Sequence, residues 1–290
     1  MKLLNFPDRE TNYHRWLLVR RQYLGASEAP AACGIDSHKT PLLLANEKWG
    51  TVDAEPTGEA ARWGQLLEPI IIEEVGRRLE TKPQANQQTF QHDSIPFLIA
   101  TPDAFIEIDG VVVPLQVKTT NQFLADRWEE GPSDTAHCQV MHEMAVLNSP
   151  FVLVACLIGG QLLKIFTVER DEALIKQITD LEIAFWRHVE NRTEPPVYAA
   201  DNKHLNRIRP VADINQVYLP DLQPFIDARA EAIAKGKEAD EQRDLAEANI
   251  KQIMGNLSDA TTQTHAVKWM HHVIKGKPQR KLTIKEIQHG

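Results

Sequence analysis

The chain has 290 residues, of which 42% are hydrophobic and 25% charged, and its formal net charge is −8. These values are ordinary for a folded globular protein and exclude a disordered chain, while the acidic balance argues against a general nucleic-acid coat protein. No apolar run approaches the roughly 20 residues of a membrane span, and the N-terminal sequence lacks the apolar core of a signal peptide. Three cysteines without metal-ligand spacing indicate reduced thiols. We therefore expect a cytoplasmic protein with no membrane contact.

The N-terminal part of the chain is predicted to be helical. Residues at helical spacing predict a first helix from Tyr13 to about Leu24, and Gly25 is expected to end it. A second, longer helical segment covers about residues 57–80. We expect Pro69 to interrupt this segment, because proline removes one helical hydrogen bond and usually kinks the helix.

Short apolar or alternating segments follow and predict strands. Two dipeptides that favour tight turns, Asp109-Gly110 and Gly159-Gly160, predict two β-hairpins. Helical spacing returns over about 135–147 and again over about 171–189. The predicted strands are Thr89–Gln91, Phe97–Ala100, Ala104–Ile108, Val111–Val117, Phe151–Ile158 and Leu162–Val168.

The predicted fold class is α/β, an α+β mixed sheet flanked by helices. We divide the chain into a domain over 1–196, a linker over 197–220 and a helical C-terminal segment over 221–290. Within that segment, a charged helix is expected over about 221–254 and a small hairpin over about 266–284. Residues 262–290 carry six Lys/Arg against one acid, which is typical of a solvated basic tail or of a contact with DNA, a partner or another subunit.

The polar residues around the Asp109-Gly110 hairpin suggest a catalytic site. Gln116 and Lys118 differ by two positions, so their side chains point to the same face of the sheet, and the tight turn brings Asp103 alongside them. Mg²⁺ prefers carboxylate and carbonyl oxygens, which Asp103, the Gln116 amide and the Val117 carbonyl offer. Lys118 can orient an attacking water or offset phosphate charge. These groups suit phosphodiester hydrolysis.

An ordinary hairpin closed by a surface Asp, Gln and Lys explains the same residues, because the D-x₁₂-Q-x-K pattern is short. Sequence blocks elsewhere in the chain support the catalytic interpretation. Over about residues 16–196 the sequence resembles the YqaJ-like, or lambda-exonuclease-like, viral recombinase branch of the PD-(D/E)XK nuclease superfamily. The ordered blocks that carry the resemblance are WLLVRRQYLGASEAPAACGI, WGQLLEPIIIEEV, TPDAF, LQVKTT and HCQVMHEMAVLN, then the Gly-Gly hairpin, VERDEALI and AFWRHVE.

The resemblance implies a PD-(D/E)XK, restriction-endonuclease-like core with a set of site residues. Glu68 and Asp103 correspond to acidic metal ligands and Lys118 to the motif lysine, with Mg²⁺, or Mn²⁺ as a substitute, as the cofactor. The positions that match a terminal 5′-phosphate pocket or lie near the metal are Arg20, Ser27, Thr101 and Gln139.

The resemblance also implies an activity and partners. Enzymes of this family degrade one strand of duplex DNA from its ends, here expected in the 5′→3′ direction, and hand the exposed strand to an annealing protein. The family implies a phage or prophage origin and a homo-oligomer, with lambda-type members forming trimers.

Gln116 departs from the family pattern, which has Glu or Asp at this position. An amide keeps an oxygen of similar reach but removes one negative charge. Two alternatives to the exonuclease therefore stay open: a catalytically weak DNA-binding or assembly protein with the same fold, and an endonuclease that acts on structured DNA. Glu107 shares the face of Asp103 on an extended strand, but it lies too far along that strand to replace the missing acid.

The histidines are expected to have no catalytic role. His137 and His142 are five residues apart, which does not place them on one helix face.

Overall fold

The computed structural model describes residues 1–7, 12–52, 58–205, 219–274 and 277–287. The chain divides into two compact units, Met1–Pro210 and Val211–Gly290. The division of the chain into the ranges 1–196, 197–220 and 221–290 stays a prediction. Among the described residues, no helix has both the length and the apolarity that crossing a bilayer requires.

The first unit contains helices and strands in mixed order, as predicted for the α/β class. Its helices are α1 (Tyr13–Arg20), α2 (Ala29–Ala32), α3 (Pro41–Trp49), α4 (Glu59–Arg78), α5 (Asp134–Leu147), α6 (Glu172–Asn191) and α7 (Asn202–Leu205). Its strands are β1 (Lys2–Leu4), β2 (Leu24–Gly25), β3 (Gln84–Ala85), β4 (Thr89–Gln91), β5 (Leu98–Ala100), β6 (Ala104–Ile108), β7 (Val111–Thr120), β8 (Phe151–Ile158) and β9 (Leu162–Glu169).

A five-stranded sheet with the order β3-β6-β7-β8-β9 forms the centre of this unit. Strands β7 and β8 are parallel, and the other neighbours are antiparallel. Both predicted hairpins are confirmed, because β6 pairs with β7 and β8 with β9. All four turn residues have positive φ, which these two-residue turns require. The first hairpin places the end of β7 next to the residues that precede β6.

The two hydrophobic faces of this sheet are covered by helices. Val113 and Leu115 of β7 pack in one cluster with Ile72 and Val75 of α4. On the other side, α5 and α6 share a cluster with the alternate residues of β8. The sheet is therefore a layer between helices, and α4 and α5 approach β7 from opposite faces.

A smaller four-stranded sheet, β1-β4-β5-β2, lies beside these layers in the first unit. The predicted end of the first helix was wrong, since α1 ends at Arg20 and Leu24 belongs to β2. Leu24 is fully buried, and its amide donates to the Phe97 carbonyl at 2.7 Å. Pairing with the sheet therefore competes successfully with helix continuation at this point.

The predicted interruption at Pro69 was also wrong, because α4 runs from Glu59 to Arg78 with Pro69 inside it. Proline removes one backbone hydrogen bond. Packing of Ile71, Ile72 and Val75 in the core compensates for that loss and keeps the helix continuous.

The second unit contains α8 (Gln223–Met254) and the strands β10 (Asp259–Thr261), β11 (His265–Ile274) and β12 (Lys277–Glu286). The strands form an antiparallel sheet in the order β10-β11-β12. The predicted charged helix and the predicted hairpin are both present. The segment thus contains a three-stranded sheet as well as its long helix.

A buried ion pair joins α5, α6 and β5. His142 Nδ1 lies 2.6 Å from Glu182 Oε1, and its Nε2 lies 3.0 Å from the Ile99 carbonyl oxygen. Both neighbours accept hydrogen bonds, so the ring bonds both of them when it is protonated. Burial lowers the pKa of His142, but the Glu182 carboxylate and the Ile99 carbonyl outweigh this effect, and the net pKa is raised. The pair anchors α5, the helix that carries Gln139, to α6 and β5.

We predict that Glu182→Ala lowers the free energy of unfolding by about 3–5 kcal/mol, because it leaves a buried cationic ring without its partner. The raised pKa gives the pH dependence: the stabilisation is complete below the ordinary histidine pKa of about 6.5 and is lost as pH rises through the folded-state value. Urea denaturation of wild type and variant across pH 6–9 measures this difference.

Asp180→Ala is the matched control, because Asp180 forms an exposed pair with Lys176 on the same helix. Little change is expected for this control at any pH. An equal loss of stability in both variants, or a wild-type-to-variant difference that grows as pH rises, would contradict the assignment.

Candidate active site

A cavity of about 1030 Å³ opens on the first unit between α1, α4, α5 and the end of β7. Every site residue predicted from the sequence lines it: Glu68, Asp103, Gln116, Val117, Lys118, Arg20, Ser27, Thr101 and Gln139. The structure thus brings together residues that are separated by up to 119 positions in the chain. Their individual roles stay predictions.

Asp103 lines the cavity and accepts hydrogen bonds from two residues of β7. It precedes β6, and its Oδ2 accepts hydrogen bonds from the Val117 amide at 2.7 Å and from Gln116 Nε2 at 2.5 Å. Burial raises the pKa of Asp103, while the nearby Lys118 ammonium and the Val117 amide oppose that rise. The carboxylate is therefore tied to the end of β7, where the hairpin was expected to place it.

Gln116 is buried, with 4% of its surface exposed. Its amide nitrogen faces Asp103, and its Oε1 has no hydrogen-bond partner among the described residues. A buried oxygen without a partner loses its hydration and gains nothing in return. This atom is the type of ligand that a hard cation takes.

Lys118 lies on the same wall of the cavity and is held by α5. Its Nζ donates to Gln139 Oε1 at 2.8 Å. Gln139 Nε2 in turn donates to Glu143 Oε1 at 3.0 Å, one helical turn further along. Burial raises the pKa of Glu143 to about 7, and the charge of Asp103 contributes to the increase. A chain of contacts therefore connects the lysine to a buried acid.

Glu68 reaches the cavity from α4, on which it is half-buried. The adjacent Pro69 lies within a continuous helix, so no break in α4 is needed to bring Glu68 to the cavity.

The residues present fit a divalent cation of the hard type. Across the described ranges, no three His, Cys, Asp or Glu side chains lie close enough together to enclose a metal by themselves. Mg²⁺ does not need such a cage, since it binds through one or two carboxylates and keeps several waters. Asp103, Glu68, the unpartnered Gln116 oxygen and the Val117 carbonyl are the groups that would hold it.

Arg20 and Ser27 form a second polar group in the lining of the cavity. Arg20 Nη2 donates to Ser27 Oγ at 2.9 Å, and the guanidinium stacks 5.2 Å from the centre of the Trp16 ring. A Cβ at Gly25 would come within 2.9 Å of Arg20 Nη2, so a larger residue at that position would shift the guanidinium. Thr101 bonds Thr89 through its hydroxyl at 2.9 Å on the same cavity.

Sequence reasoning missed the buried pair behind Arg20. Glu28 accepts from Lys48 Nζ at 2.8 Å and from the Gly25 amide at 3.0 Å, and it lies 3.6 Å from Arg20 Nε. Burial opposes the charge of Glu28, but the two cations and the amide lower its pKa to about 2. Glu28 therefore fixes both Arg20 and the turn that follows α1. The sequence contained no spacing signal that connects positions 28 and 48.

Glu143 was also missed, although it lies in the block that carries Gln139. Its spacing of four from Gln139 places both residues on one helix face, and that spacing was the available signal. His142, by contrast with Glu143, pairs with Glu182 in the core and does not line the cavity.

Residues 15–149 match the YqaJ-like viral recombinase domain. The protein YqaJ of Bacillus subtilis (strain 168) is 33% identical over 181 residues, which cover 61% of this chain. The chain spans only 56% of the length of that relative.

Two solved structures share their fold with about two thirds of this chain. An alkaline exonuclease, LHK-Exo from Laribacter hongkongensis, superposes with a TM-score of 0.52 at 16% identity, covering 66% of this chain and 95% of its own. The same exonuclease in complex with dAMP gives a TM-score of 0.51 at 17% identity, over 66% and 97% of the two chains. At this identity the likeness establishes the fold, which confirms the expected mixed α/β class with helices flanking the sheet.

We predict that Glu28→Gln lowers the free energy of unfolding by about 3–5 kcal/mol at pH 7, because Lys48 is left buried without its acid. The pKa of Glu28 is lowered in the folded state, so its stabilisation is complete above about pH 4.5 and is lost as pH falls towards 2. Chemical denaturation from pH 7 down to pH 3 measures the difference between wild type and variant.

Glu74→Gln serves as the control, since Glu74 bonds the exposed Arg77 and Arg78 on α4. Little change is expected there. A difference between wild type and Glu28→Gln that is constant from pH 7 to pH 3 would show that the Glu28 charge is not involved.

Proposed function

We propose that this chain is a divalent-metal-dependent deoxyribonuclease that acts on the ends of duplex DNA. One observation carries the proposal: a pair of acids, an unpartnered amide oxygen and a lysine share a cavity with an arginine–serine pair. The first group suits a metal and a scissile phosphate, and the second suits a terminal phosphate. The match to the recombinase domain and the fold shared with LHK-Exo support the same activity.

The residues divide the reaction between them. A bound divalent cation would polarise the phosphodiester and stabilise charge on the leaving oxygen. Asp103 and Glu68 would hold that cation. Lys118, positioned by Gln139, places its ammonium against the phosphate oxygens and orients the attacking water. Gln116 and Val117 contribute neutral oxygens, so the site carries fewer negative charges than one with a third acid.

The finer activity follows the family resemblance. We propose a 5′→3′ double-strand exonuclease of phage recombination that exposes single-stranded DNA for an annealing protein, with Mg²⁺ as the ion and Mn²⁺ as a substitute. A homo-oligomer, such as a trimer around DNA, belongs to this proposal. Gln116 motivates the alternative, a weak DNA-binding protein on the same fold, for which Gln116→Glu should switch on cleavage.

Incubating the protein with linear duplex DNA and Mg²⁺ tests the activity. We expect release of nucleotides that EDTA abolishes, and a rate at least about 100-fold lower in Asp103→Asn and Lys118→Ala, because each removes a group that stabilises the transition state. Glu107→Gln is the control, since Glu107 is an exposed acid on β6 outside this cavity.

A covalently closed circular duplex separates the exonuclease from an endonuclease, because an exonuclease needs an end. Folded protein that releases no nucleotides from linear DNA would contradict the nuclease proposal. Cleavage of the closed circle would replace the exonuclease with an endonuclease.

We predict that Arg20→Gln removes the preference for a 5′-phosphate, because a guanidinium held by Ser27 bonds phosphate oxygens more strongly than a neutral amide does. Initial rates on 5′-phosphorylated and 5′-hydroxyl duplexes should differ in wild type and become similar in the variant. Arg15→Gln, on the exposed side of α1, should keep the wild-type ratio. An unchanged ratio in Arg20→Gln would assign the end to another group.

The second unit carries a basic face that fits a DNA contact. In the β11–β12 register, Ala266 pairs with Lys285, Lys268 with Thr283 and Met270 with Lys281, so the three lysines share one exposed face of the sheet. Trp269 and Leu282 pair on the opposite face. We propose that the lysine face contacts DNA phosphates.

Changing Lys268, Lys281 and Lys285 together to Gln should weaken duplex binding at moderate salt and reduce the slope of log affinity against log salt by up to about 3. Fluorescence anisotropy across a salt series measures both. The matched control replaces Lys235, Lys237 and Lys251 of α8, which form ion pairs with glutamates on the same helix. Equal slopes for both triple variants would remove the DNA role of this face.

A further inference from the structure

Glu143 is a buried carboxylate that lines the cavity and that no role assigned above uses. None of its surface is exposed, and it projects from α5 one turn after Gln139. Its Oε1 accepts from Gln139 Nε2, and its Oε2 is buried with no hydrogen-bond partner among the described residues. The acid thus receives one hydrogen bond from a neutral amide.

Burying an ionised carboxylate without a cationic partner is costly. Glu182, one helix away, is equally buried and also has one oxygen without a hydrogen-bond partner among the described residues, but it has the His142 ring at 2.6 Å as a cationic partner. Lys118 reaches Gln139 and not the Glu143 carboxylate. Glu143 therefore lacks the cationic partner that Glu182 has.

Gln116 lines the same cavity as Glu143 but carries no charge. It is neutral, and its Oε1 is the other side-chain oxygen of this cavity that is buried without a partner in the part of the chain described. An acid at position 116 would bring a second charge next to Asp103. With an amide there, that charge is missing from β7 and a carboxylate is present on α5 instead.

We propose that Glu143 supplies the divalent cation site with the negative charge that position 116 lacks, while holding the Gln139 amide so that its oxygen faces Lys118. This inference rests on the proposed function, since it assumes that a divalent cation binds between Asp103 and Glu68. Glu143 acts through the electric field of the cavity and through Gln139, and is a positioning residue.

Metal binding without DNA tests the assignment, with Mn²⁺ as the probe. Isothermal calorimetry should give a dissociation constant for Glu143→Gln at least about tenfold above wild type, and Glu143→Ala should behave alike. In EDTA, Glu143→Gln should melt at or above the wild-type temperature, because it removes a buried uncompensated charge. A purely structural role predicts the opposite pattern, with lower melting temperature and unchanged Mn²⁺ affinity.

The double variant Gln116→Glu/Glu143→Gln moves the charge from α5 to β7. We expect it to recover Mn²⁺ affinity to within about threefold of wild type. Glu182→Gln is the matched control, because it neutralises a buried acid outside the cavity; it should lose stability and keep its Mn²⁺ affinity.

Asp103→Asn distinguishes a failure of the metal centre from a failure of the role proposed for Glu143. If wild type binds Mn²⁺ and Asp103→Asn does not, while Glu143→Gln binds as tightly as wild type, the role of Glu143 is overturned and the metal centre stands. If wild type and Asp103→Asn both fail to bind Mn²⁺, the metal centre and the role of Glu143 are overturned together.

Discussion

The hydrogen bond from the Val117 amide to the Asp103 carboxylate is the contact on which the site depends. It joins the residue before β6 to the end of β7, at the open end of a hairpin whose turn is closed by Asp109 and Gly110. This contact and the hydrogen bond from Gln116 hold the carboxylate at the end of β7, the strand that carries Lys118. Burial raises the pKa of Asp103, and the nearby Lys118 ammonium and the Val117 amide limit that rise.

Helix α5 combines two buried polar groups with different surroundings. His142 pairs with Glu182 in the core and fixes the helix, whereas Gln139 and Glu143 form one wall of the cavity. A buried acid with a cationic partner inside the protein stabilises the fold. An acid whose partner is incomplete is retained where a ligand supplies the missing charge. Because Glu182 has a cationic partner in the core and Glu143 has none in the cavity, we expect a cation to bind in the cavity.

Local patterns allowed much of the site to be predicted. Asp109-Gly110 predicts the hairpin, and the period of two along a strand places Gln116 and Lys118 on one face of the sheet. The tight turn then brings Asp103 alongside these two residues. The end of α1 was missed because Leu24 is held by a parallel strand, a long-range pairing without a local signal. Glu28 and Lys48 were missed for the same reason. Glu143 had one local signal, its spacing of four from Gln139, which places both residues on one helix face. Position 116 was recognised as a departure, but the acid that balances it lies 27 residues away.

Crystals soaked with Mn²⁺ and measured at a wavelength where manganese scatters anomalously would locate the cation directly. The account predicts an anomalous peak bonded to an Asp103 carboxylate oxygen, next to Glu68 and the Gln116 side chain, with Glu143 Oε2 turned towards it. An anomalous map with no peak in this cavity at saturating Mn²⁺, or a peak held by residues elsewhere, would contradict the central claim.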